Sequence, residues 1–147
     1  MRFRKYPPVV LLMALLLFAC NKDAVEQPGG IVGKWNLKKT RARFYRNGVL
    51  YRDTSATNYT PAHFQVFNSD SSGYVSWPQS SGSAIFTFKY TLNGNLLKTT
   101  DTRPGSPEFT YTVIKLTQSS LELTFETSIS TATTRLSEIE NYTYKRE

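Results

Sequence analysis

Beyond residue 30 the chain alternates between apolar and polar positions. Phe86, Phe88, Tyr90 and Leu92 fall on one parity, and Thr87, Lys89 and Thr91 on the other. That two-residue period belongs to a strand with one face buried. Leu121, Leu123, Phe125 and Ile129 oppose Glu122, Thr124 and Glu126 in the same way. Gly33 to Arg46 reads as a long strand in which Trp35 and Leu37 alternate correctly, Lys38-Lys39 breaks the phase, and Ala42 and Phe44 resume it. A break of that kind predicts a β-bulge.

Turn residues divide the rest. Asn47-Gly48 and Asn93-Gly94 are two-residue hairpin pairs, for which a type I′ turn needs positive φ at both central positions. Val49 to Arg52 returns from the first, and Asn95 to Thr100 from the second. His63–Phe67 and Tyr74–Trp77 pair across Asn68-Ser69-Asp70-Ser71-Ser72-Gly73, and Phe109–Leu116 pairs with Ser120–Ile129. Thr131 to Glu140 shows no clear period and reads as a loop or a short helical turn, before Tyr142 to Lys145 closes the chain. Short antiparallel strands in sequence order predict an all-β fold, an up-and-down barrel of about eight strands that removes its own edges. A two-sheet β-sandwich is the alternative. The aromatic content, 14%, and the abundance of Thr agree with a β composition.

The N-terminus has a different character. Arg2, Arg4 and Lys5 precede the apolar run Val9–Ala19, which ends at Cys20, the only cysteine. The run is too short to span a bilayer, which takes about 20 apolar residues. A basic tip, a short apolar stretch and a small residue before the cut describe a secretory signal. With Leu17-Phe18-Ala19-Cys20 at the cut, the segment resembles a bacterial lipoprotein signal. That resemblance implies removal of residues 1–19 and acylation of Cys20 by a diacylglycerol and a further chain such as palmitate, enough for a stable anchor. Asn21 then points to the outer membrane, periplasmic or surface-facing, and Asn21-Lys22-Asp23 resembles a surface-export tag. Cys20 to Gly30, closing on Gln27-Pro28-Gly29-Gly30, reads as the lipidated residue and a flexible tether, and residues 31–147 as one domain. Loss of residues 1–19 removes three basic and no acidic residues, so the net charge falls below the +7 of the whole chain.

Gly33-Lys34-Trp35 on the first strand resembles the Gly-x-Trp of lipocalins, whose Trp plugs the closed end of the barrel. The run Phe86 to Leu96, followed by Ile114-Lys115-Leu116-Thr117 and Leu121-Glu122-Leu123, is similar to the lipocalin-like lipoproteins of Bacteroidota over residues 31–147. The resemblance also implies a basic residue near the last strand, Arg146 or Lys145, packed across the Trp.

The chain is poor in catalytic chemistry. His63 is the only histidine, and with Cys20 acylated no thiol remains. Neither a metal site nor a Ser–His–Asp triad is therefore expected. Glu122 and Glu126 share a strand face about 13 Å apart, wide for a glycosidase pair. No phosphate loop is present, and no cofactor is expected. Two groups stand above background. Lys38, Lys39, Arg41, Arg43 and Arg46 crowd one hairpin, a basic patch suited to anionic lipid headgroups or glycans; nucleic acid is not expected outside the cytoplasm. Trp35, Phe86, Phe88, Tyr90, Leu123, Phe125, Tyr142 and Tyr144 are the candidate ligand-binding aromatics and aliphatics, because a barrel of this size holds one small ligand or fills with side chains. The expectation is a non-enzymatic, monomeric, membrane-anchored protein that binds a small apolar or amphipathic molecule. Its alternative is a filled barrel that contacts a protein or glycan through its outer face.

Overall fold

The computed structural model describes residues 30–80 and 82–147; the expected signal, Cys20 and tether residues up to 29 lie outside them. Nine strands follow in chain order: β1 (Gly33–Arg46), β2 (Val49–Ala56), β3 (Phe64–Phe67), β4 (Ser72–Gln79), β5 (Gly82–Asn93), β6 (Leu96–Asp101), β7 (Glu108–Leu116), β8 (Ser120–Ser130) and β9 (Arg135–Arg146). All pairings are antiparallel, and β9 returns to β1 from Trp35↔Arg146 to Arg46↔Leu136. The sheet thus closes on itself as an eight-stranded barrel, and the two-sheet alternative falls.

The ninth strand shares a lane. β1 pairs along one edge with β2 over Thr40–Arg46 and with β3 over Gly33–Asn36. β2 and β3 are therefore two pieces of one strand, interrupted by residues 57–63. Among the described residues β2 pairs with β1 alone, so its other edge is unpaired.

The phase break at Lys38 is a bulge: the register with β9 shifts between Leu37 and Lys39. It brings Thr40, Ala42 and Phe44 back inward after Trp35 and Leu37. Asn47 (φ 51°) and Gly48 (φ 81°) form the predicted turn. The second turn differs from expectation. Its loop residues are Gly94 and Asn95, because Asn93 pairs with Leu96, and only Gly94 has positive φ (59°). That is the demand of a type II′ turn, with Gly at its first central position.

Residues 135–140 are strand, against the loop or helical turn expected there. Leu136, Glu138, Glu140, Tyr142 and Tyr144 share the inward face of β9, since they pair with the inward Ile129, Thr127, Phe125, Leu123 and Leu121 of β8. The upper half of this strand is polar on the inside. An apolar-in pattern therefore does not reveal it.

The buried core occupies one end. Ile31, Trp35, Leu37, Phe67, Leu97, Val113, Leu116 and Leu121 pack there with Phe88, Tyr90, Leu123 and Tyr144. Alternating strand directions put the 93–96 and 117–119 turns at this closed end. The 47–48, 102–107 and 131–134 turns lie at the other.

Candidate functional site: a cavity at the open end

The closed end is built around Trp35, which is 0% exposed. Its Nε1 donates to the Ile31 carbonyl at 2.7 Å. The Arg146 guanidinium caps the ring at 4.4 Å and donates through Nη2 to the Gly30 carbonyl at 2.8 Å. Gly33 lies between them at φ 135°, and a Cβ there would stand 3.7 Å from Arg146 Cζ. The Gly-x-Trp pattern thus has a local cause: the backbone turns where only glycine is unstrained, and the indole enters the barrel axis.

Above this floor is a cavity of about 290 Å³, lined by Gln65, Val75, Trp77, Phe86, Thr87, Phe88, Thr99, Asp101, Phe109, Tyr111, Leu123, Tyr142 and Tyr144. It lies at the small end of the range for ligand pockets, and its mainly apolar wall with a few convergent polar groups is typical of them. Of the eight expected ligand-binding residues, the structure places Phe86, Phe88, Leu123, Tyr142 and Tyr144 on this wall. Trp35 is instead the closed-end plug. Tyr90 sits in the core with its hydroxyl donated to the Asn68 carbonyl at 2.7 Å. Phe125 backs the wall, its ring 5.9 Å from Phe109 and 5.3 Å from Tyr111.

Several wall residues escaped the sequence reading. Trp77 and Phe109 stand only at the ends of expected strands, and Tyr111 only inside one. Trp77 forms an aromatic cluster at the mouth with Tyr59 and His63, at 6.1 and 5.3 Å. The interruption between β2 and β3 supplies both partners. Tyr59 shares a hydrogen bond with Thr40 at 2.7 Å, and His63 Nδ1 accepts from the Thr60 amide at 3.1 Å. Asp101 is tied to Arg103 by paired bonds of 2.7–2.9 Å, which hold its carboxyl below the usual range.

The phenols are shielded from water. Burial, and a bond donated to Glu140, push the Tyr142 hydroxyl well above its ordinary range. Burial does the same to Tyr144, with smaller contributions from Tyr111 and Tyr59. Both are neutral hydrogen-bonding groups at any physiological pH.

Of the basic patch, Lys39, Arg41 and Arg43 share the outer face of β1. Arg41 is bound to Asp53 through Nε at 2.9 Å and also through Nη2. Arg43 donates to Asn141 at 3.0 Å, and Arg46 lies over the Tyr51 ring at 5.4 Å. Lys38 sits in the bulge, and Lys39 and Arg41 border a separate outer groove of about 200 Å³ together with Asn141. Among the described residues no group of three or more His, Cys, Asp or Glu side chains could hold a metal ion.

A closed antiparallel barrel with a plugged base and an apolar cavity at its mouth is the architecture of a small-ligand-binding protein. Residues 31–123 match the family described as the lipocalin-like domain, and the chain belongs to it. Comparison with curated proteins and with solved structures returned no match.

Proposed function

We propose that this protein is a non-enzymatic carrier that holds one small apolar or amphipathic molecule in the barrel. The observation that supports this most is the cavity of about 290 Å³ at the open end, walled by aromatic rings. Native mass spectrometry of the full chain, with organic extraction of the purified protein, tests it. A co-purifying small molecule is expected, and a consistently empty barrel would count against the carrier.

The proposal extends to location: the chain is an outer-membrane lipoprotein anchored through acylated Cys20. Gly30 joins the barrel at the closed end, where Arg146 binds its carbonyl. A tether running back to Cys20 would therefore leave the barrel from its closed end, opposite the mouth. Cys20→Ser should abolish partition into detergent; unchanged partition would refute the anchor.

One observation favours a second reading, in which the outer face binds a protein or glycan. On β2, Val49, Leu50 and Tyr51 are exposed on a strand whose outer edge is unpaired among the described residues.

A further inference from the structure

The cavity is apolar at its base, but its β9 wall turns polar towards the mouth. Tyr144, only 7% exposed, lines the cavity. One step up, Tyr142 donates to the Glu140 carboxylate. Burial raises the Tyr111 and Tyr144 hydroxyls, and the Glu140 charge adds to both. All three tyrosines line the cavity.

Glu140 accepts from Tyr142 on its inward side. It takes part in none of the ion pairs among the described residues. The inward-facing cation on β2, Arg52, lies over the Phe44 ring at 5.2 Å and acts on Glu138. At the rim, Asp101 and Arg103 satisfy each other. Glu140 thus stands on the inward face of β9, bonded to the cavity-lining Tyr142 and one step nearer the mouth, beside a space walled by Trp77, Phe86 and Phe109.

We infer that the cavity selects an apolar molecule bearing an amine or similar cationic, hydrogen-donating head, and rejects a carboxylate-headed molecule of the same size. This rests on the carrier reading and names its ligand class. An ammonium can donate to Glu140 and to Tyr144 while the aromatic faces attract its charge. A carboxylate would be desolvated beside a like charge at low dielectric, where repulsion is strong.

Calorimetric titration of the full chain with octylamine, octanol and octanoate at neutral pH tests this. The amine should bind tightest and octanoate weakest, with about a tenfold or larger gap between them. Glu140→Gln should narrow that gap by weakening the amine and strengthening octanoate. Octanoate binding as well as octylamine overturns the selectivity and leaves the carrier standing. No binding by any of the three overturns both. A gap that survives Glu140→Gln removes the role given to that carboxylate. The unsubstituted protein decides the selectivity even if the variant fails to fold.

Discussion

Arg146 lies over Trp35, its guanidinium carbon 4.4 Å from the ring centroid, with the two residues directly paired across β1 and β9. The contact closes the barrel base and joins the first strand to the last. It combines a cation–π contact, worth about 0.5–2 kcal/mol, with a hydrogen bond to Gly30. Arg146→Ala should therefore lower unfolding stability by about 1–3 kcal/mol. Arg146→Lys should recover only part, because an ammonium lacks the planar stacking surface. Urea denaturation of the three proteins measures the series.

Gly73 lies opposite Phe88 on the inward side of β4. A Cβ at this position would clash with the Phe88 ring and approach the Val66 carbonyl oxygen to 2.5 Å. Neither neighbour can yield freely, since one is a buried ring and the other backbone. Gly73→Ala should cost about 1–3 kcal/mol, the range for overpacking, although φ at this site is ordinary. A melting temperature equal to the parent would show that the ring can move aside.

The second hairpin distinguishes two placements of its turn. Gly94 carries the positive φ, and Asn93 belongs to the strand. Gly94→Ala should cost about 1 kcal/mol or more, and Asn93→Ala markedly less. Equal losses in thermal unfolding would favour the placement centred on Asn93-Gly94.

Stability should fall at both pH extremes. The Arg41, Ser72 and Arg103 side chains bond Asp53, Asp70 and Asp101 respectively and hold each carboxyl below its ordinary value. Their stabilisation is present above the unfolded carboxylate range and is lost as pH falls through the folded values. Glu138, raised mainly by burial, acts in the opposite sense. At the alkaline side Tyr142 and Tyr144 are raised. The stability they contribute is full below the unfolded tyrosine value of about 10 and declines as pH rises past it. Denaturation profiles across pH should show the alkaline decline become shallower in Tyr144→Phe and the acid decline become shallower in Asp70→Asn.

The lower barrel was legible in sequence because its strands obey the apolar-in rule. Trp35 and Leu37, Phe88 and Tyr90, and Leu121 and Leu123 all have buried inward faces. The upper barrel was not, because its inward positions need not be apolar. Glu138 and Glu140 point into an open mouth, and at the tip Ile129 remains 70% exposed. The same reason hid the acidic wall and the true start of β9. The split of one lane into β2 and β3 escaped for another reason. The segment from Thr57 to His63 looks like any polar connection, and only pairing of both pieces with β1 reveals a shared lane.

The central claim is that the cavity, and not the outer face, receives the small molecule. Methyl NMR during titration with octanol, a neutral probe, locates binding directly. Saturable shifts are expected at Val75 and Leu123 on the cavity wall, with none at Val49 or Leu50 on the exposed β2. Silence at Val75 and Leu123, or shifts confined to the exposed residues, would contradict the account.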